Sequence, residues 1–398
     1  MKPSWGKISI LFLFIVALIG TLLRSTLLFK VDFVYSHLLH AHSHTAFQGW
    51  IYTIMFLLAS TYFFSEEQRL RYKLSLQFKF TIVVVTCILI AFTLQGYALY
   101  SILFSTLFQI LNYWLIFSFF KATRKETTSG IRYPLLFART GMVLGGISTL
   151  APFGVGILSA NGLSGTELYD SFIYFFLHFQ YNGWFFFVLL GIVLKDFENQ
   201  NIAVESKRLR TIYLLFTLAV VPLFALSLTG MEFGATIRPI AFVGSFLSFL
   251  ALLFLITTFR KKQKLWLKET SAVSKWFLYL AFFSLAAKTI LQLASLLPVL
   301  EPLVFHNRYL IMVYMHLSLI GFMSFAFLGI ILKLCWINVT ALTRVGSILL
   351  IFGFISNEMA LSLSALTSFH GSILIFITSG MMAVGILFIL LSYHFSKS

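Results

Sequence analysis

From Ile8 to Phe29 the chain reads ISILFLFIVALIGTLLRSTLLF. A helix rises about 1.5 Å per residue, so a run of roughly twenty apolar residues crosses a hydrocarbon core of about 30 Å. Further runs of this kind lie near 36 to 64, 78 to 97, 100 to 120, 133 to 158, 168 to 194, 210 to 230, 237 to 259, 274 to 297, 308 to 333, 343 to 365 and 370 to 394, separated by short polar links. Inside lipid a backbone must satisfy its own polar groups, which helices do and isolated strands do not. Composition agrees: 59% of the 398 residues are hydrophobic and 11% charged, against about 45–50% and 25% in soluble domains. The expected fold is all-α, a polytopic membrane helical bundle of about twelve transmembrane helices, forming one integral membrane domain over 1–398 with the lipid bilayer as its partner. The first run follows Lys2 and Lys7 but is too long for the apolar region of a signal peptide and has no small-residue cleavage site. It is read as the first membrane helix.

The net charge of +16 does not mark a nucleic-acid protein, because the basic residues are scattered through interhelical links and gather on no soluble face. They follow the even-numbered helices: Arg69, Arg71 and Lys73; Lys121, Arg124, Lys125 and Arg132; Lys207, Arg208 and Arg210; Arg260, Lys261, Lys262, Lys264 and Lys268. Only Arg24, Lys30, Arg238, Lys288 and Arg308 remain of the 29 Lys and Arg for the opposite side. The positive-inside rule then places both termini in the cytoplasm, for a protein of a bacterial-type inner (plasma) membrane. The two cysteines, Cys87 and Cys335, lie in apolar runs, so neither a disulfide framework nor a thiolate metal site is expected.

One pattern occurs three times. Helix 2 carries His44-Thr-Ala-Phe-Gln-Gly49-Trp50, helix 6 carries His178-Phe-Gln-Tyr-Asn-Gly183-Trp184, and helix 10 carries His316-Leu-Ser-Leu-Ile-Gly321-Phe322. The motif helices are four spans apart each time, which implies three pseudo-repeats of four helices. All three helices run inward in the assigned topology, and their histidines share one level in the outer half of the membrane. A polar side chain at that depth faces the bundle interior, where it binds a ligand, relays protons or simply joins two helices. Helix 2 adds His37, His40 and His42. At 100° per residue His37, His40 and His44 form one stripe and His42 points away. Imidazole suits copper, zinc, nickel and haem iron, so His37, His40 and His178 are candidate metal ligands. Arg24, Lys288 and Glu358 are charges within spans and are candidate walls of an outward-facing polar cavity. Asp170, Glu232, Arg238, Glu301, Arg308 and His370 mark its outer ends.

Twelve helices, quasi-repeats of four and histidines on helices 2, 6 and 10 together resemble subunit I of the haem-copper oxidase superfamily, which includes nitric oxide reductases. The tract His40-Ala-His42 also resembles the NnrS-type membrane proteins, which are linked to haem, copper and nitric-oxide stress. The resemblance covers the whole chain at the level of topology, and its motifs are short. It implies a haem held by His44 and His316, with His178 as a copper ligand, and a respiratory-chain or assembly partner. Helix 7 lacks the family's copper histidines, helix 10 has Tyr314-Met-His316 where the family has two histidines, and the link at 366 to 369 lacks arginines. A complete terminal oxygen reductase is therefore not expected. Two other functions fit the residues: a metal or small-solute carrier, which broken helices around Pro152, Gly154, Gly156 and Pro222 would favour, and a non-catalytic assembly subunit.

Overall fold

The computed structural model describes residues 3–124, 132–300, 303–304 and 307–393, so Lys2, Lys125 and Glu301 lie outside the described residues. Among the described residues no strand forms. Among the same residues eleven helices are long and apolar enough to cross a membrane: α1 Pro3–Ser25, α3 Leu74–Gln95, α4 Leu99–Ala122, α5 Tyr133–Ala160, α6 Glu167–Asn199, α7 Ser206–Leu228, α8 Gly234–Phe259, α9 Ala272–Ala294, α10 Arg308–Lys333, α11 Ala341–Leu366 and α12 Ser372–Leu391. The chain is thus an integral membrane protein built as a polytopic helical bundle.

The remaining long helix, α2, runs without interruption through Tyr35–His44, Thr45–Ile51 and Tyr52–Phe63. Four histidines and Gln48 make its first half more polar than the rest of the helix. It is long enough to cross all the same. The Tyr393 hydroxyl, just beyond α12, donates to the carbonyl of Pro3 at the start of α1, so both ends of the described chain lie on one face of the membrane. An even number of crossings follows, and α2 supplies the twelfth.

The helices gather into two compact units. One comprises Met1–Ser118, Thr270–Phe282 and Met312–Ser398; the other comprises Phe119–Glu269 and Phe283–Ile311. In the first, α11 and α12 approach until a Cβ on Gly346 would meet the Gly385 carbonyl at 2.6 Å. Close backbone contact between small residues is what joins helices in lipid, where no hydrophobic force is left to do so. Asn357 of α11, fully buried, donates to Thr378 Oγ1 of α12 at 2.9 Å and to the Ile375 carbonyl at 3.1 Å.

In the second unit α5 lies against α6 with Gly145 under the Trp184 indole. Below it Asp196 accepts a hydrogen bond from Trp266 Nε1 at 2.6 Å. Two helices here are irregular, as their prolines lead one to expect. α5 breaks between Ser148 and Ala151, with Pro152 in the first turn of the second piece. α7 tightens after Pro222 into a 3-10 segment, Phe224–Leu228. Proline removes one donor and crowds the preceding turn, so a change of winding at this point is its direct result.

Candidate functional site

In α2, α6 and α10 the helical winding changes immediately after the motif histidine. His44 is followed by a π turn at Thr45–Ile51, His178 by one at Phe179–Trp184 and His316 by one at Leu317–Ser324. The residue after each turn bonds its N–H to a carbonyl five residues back: Tyr52 to Phe47, Phe185 to Gln180, and Phe325 to Ile320. The repeated sequence motif is therefore a repeated backbone conformation, and π turns of this kind concentrate at functional sites.

The turns also divide open from closed structure. Before them, Tyr35–His44 buries only Ala41, Glu167–His178 buries only His178, and Arg308–His316 buries nothing. After them, residues 51 to 60, 184 to 189 and 321 to 332 are buried without exception. Each histidine thus stands at the boundary between a loosely surrounded half-helix and a solid apolar floor. In the first unit two of these floors are tied together, since Trp50 Nε1 of α2 donates to Ser324 Oγ of α10 at 2.7 Å, and that hydroxyl donates to the Leu319 carbonyl.

The histidines of α2 face two ways. His44 stacks on Phe92 at 4.2 Å between ring centres, and its Nε2 lies 3.1 Å from the Tyr97 hydroxyl. His40 meets Tyr97 edge-on at 4.7 Å. His37 lies against Gly96, whose φ of +62° suits glycine and where a Cβ would meet the imidazole at 2.5 Å. These three follow the expected stripe, turned towards the end of α3. His42 turns instead to α1, where its Nδ1 lies 2.9 Å from the Val16 carbonyl and Gly20 leaves room for the ring. A carbonyl only accepts, so Nδ1 carries the proton.

His42, and not His44, is the histidine of α2 that lies within electrostatic range of His316. His316 Nδ1 is 3.0 Å from Glu358 Oε1 on α11. Arg24 of α1 is an electrostatic neighbour of both His42 and Glu358, and its Nη2 lies 3.3 Å from Met312 Sδ, one turn before His316. The first unit therefore assembles Arg24, His42, His316 and Glu358 from four helices. Each imidazole is oriented through Nδ1, and neither Nε2 has a hydrogen-bond partner among the described residues.

His178 belongs to the second unit and meets different chemistry. Its Nε2 donates to the Val220 carbonyl at 2.8 Å. That oxygen is free because, past Pro222, the Phe224 N–H bonds to Val221 and Pro222 instead. His178 Nδ1 receives Asn182 Nδ2 at 3.1 Å, and Asn182 Oδ1 accepts from the ammonium of Lys288. Both ring nitrogens are thus engaged, with a cation two side chains away, so this setting does not fit a copper ligand. Lys288 is grouped with His178 and Asn182 in this unit. No three His, Cys, Asp or Glu side chains among the described residues converge as a metal cage, so His37 and His40 gain no third ligand.

Sequence reasoning missed Tyr97, Phe92 and Asn182 as partners, and it set His42 aside. The Gln95-Gly96-Tyr97 turn was the available signal for the first of these. No family model matches the chain, and no curated protein is similar to it.

Proposed function

We propose that this chain is a haem-binding redox protein of a bacterial-type plasma membrane, with cytoplasmic termini, whose ligands are His42 and His316. One observation carries the reading: two imidazoles on facing helices are each fixed through Nδ1, by the Val16 carbonyl and the Glu358 carboxylate, with Nε2 unengaged. Metal-bound imidazoles are oriented through their other nitrogen in this way. The resemblance to haem-copper oxidases supports the same helices, with His42 in place of His44 as the ligand from α2. Arg24 supplies a cation for a haem carboxylate by charge-assisted bonding. Haem held by two imidazoles supplies one-electron transfer. The chain's own residues orient the ligands through Nδ1 and, through the buried floor beneath the π turns, close the site on one side, while Arg24 would pair with one haem carboxylate. Electron transfer to a respiratory-chain partner, including one acting in nitric-oxide metabolism, fits this arrangement better than oxygen reduction, because His178 is engaged elsewhere and no copper ligand set assembles among the described residues.

The test is an absorption spectrum of purified protein, taken oxidised and reduced after supplying haem. A low-spin spectrum is expected that His42→Ala and His316→Ala abolish and His44→Ala leaves intact. Loss with His44→Ala and survival with His42→Ala would return the site to the other face of α2. A carrier is the second reading, favoured by the breaks in α5 and α7. It predicts a featureless spectrum and solute uptake that depends on His37, His40 and His44.

A further inference from the structure

Lys288 lies in the last third of α9 and is 3% exposed. An ammonium has three donors and no acceptor. One donor goes to Asn182 Oδ1, and the Tyr181 ring face lies 5.3 Å from the nitrogen. No other hydrogen bond is made by Lys288, and no carboxylate lies within ion-pair distance of it, among the described residues. The amide and the ring soften the charge without cancelling it. An unneutralised cation inside a membrane protein is costly, and such residues mark ion sites or proton paths.

Beside Lys288 lies a cavity of about 20 Å³ whose polar lining is Asn182, Ser248, Lys288, Thr289 and Gln292, with Phe186, Phe216 and Leu223 among its apolar walls. That volume holds about one water-sized particle. No carboxylate lines it, and the polar groups present are donors or amphoteric hydroxyls and amides. A water there would satisfy a donor and leave the net charge. A small anion does both.

We infer that Lys288, with Asn182 beside it, binds a single monovalent anion of about chloride size in this cavity. The site is independent of the haem reading, since none of its residues belongs to the Arg24, His42, His316 and Glu358 cluster. The chain Lys288 to Asn182 to His178 to the Val220 carbonyl then acts as a positioning relay. It holds Asn182 with its oxygen towards the ammonium and ties the site to the tightened end of α7. A polyatomic anion such as sulfate is far bulkier than a halide and exceeds this space.

The probe is chloride itself, followed by ³⁵Cl NMR line width on the purified full-length protein. Wild type should give saturable excess broadening that bromide displaces and sulfate does not. Lys288→Met should weaken it at least tenfold. Should that variant fail to fold, Asn182→Asp decides: it places a carboxylate beside the ammonium, so chloride broadening should vanish, at the cost of the hydrogen bond that Asn182 donates to His178 Nδ1. Absence of saturable broadening in wild type, displacement by sulfate, or broadening retained in either variant would overturn the inference.

Discussion

Replacing Glu358 by glutamine keeps an acceptor of the same shape 3.0 Å from His316 Nδ1 and removes only its charge. A hydrogen bond to an ionised partner contributes about 1.5–3 kcal/mol and a neutral one about 0.5–1.5. The difference of about 1–1.5 kcal/mol corresponds to roughly five- to thirteen-fold in affinity at about 1.36 kcal/mol per tenfold. Removing the acceptor altogether, in Glu358→Leu, should cost the 10–100-fold typical of lost orienting partners, roughly speaking. The second oxygen of Glu358 has no hydrogen-bond partner among the described residues, so the glutamine amide breaks no existing hydrogen bond there. Haem titration followed at the Soret maximum gives the affinity of each variant. Redox titration adds a second readout: a tenfold weaker hold on the oxidised form alone raises the midpoint by about 59 mV for one electron. The order wild type, glutamine, leucine is required. Variants that bind within twofold of wild type, or a glutamine variant worse than leucine, would refute the role given to the carboxylate.

Reporter fusions after Lys262 should be cytoplasmic and one near Ser164 external; the reverse would invert the assignment drawn from the basic links. Gly145→Ala should destabilise the second unit by about 1–3 kcal/mol through overpacking, because its Cβ would lie 2.4 Å from the buried Trp184 indole. Gly156→Ala on the same helix has nothing within 4 Å and serves as the neutral control in the same detergent unfolding assay.

The membrane class and the twelve spans could be read from the chain because apolar run length is a local property. The Pro152 and Pro222 irregularities were legible for the same reason: a missing donor acts on its own helix. The repeated motif was legible too, but not its meaning as a π turn, since His, Gly and an aromatic at that spacing also fit an ordinary helix. Angular spacing correctly separated His42 from His37, His40 and His44. It could not tell which face meets α10, because that depends on where α1 packs, and Gly20 and Val16 reveal this only in three dimensions. Lys288 and Asn182 are 106 residues apart. Nothing local announces such a pair.

The length of α6 has a further consequence. Its 33 residues span about 50 Å. Fitting that length into about 30 Å of hydrocarbon by tilt alone would need roughly 50°, beyond the range of about 0–40° that membrane helices adopt. The helix therefore stands proud of the hydrocarbon, and its termini carry the residues for it: Glu167 and Asp170 at one end, Lys195 and Glu198 at the other. These charges, held at the headgroups, act as stops that fix how far α6 can slide along the bilayer normal. The depth of His178, and with it the reach of water to Asn182 and Lys288, is then set by the positions of these stops relative to membrane thickness. A thinner bilayer brings that level closer to the aqueous phase without any change in the protein.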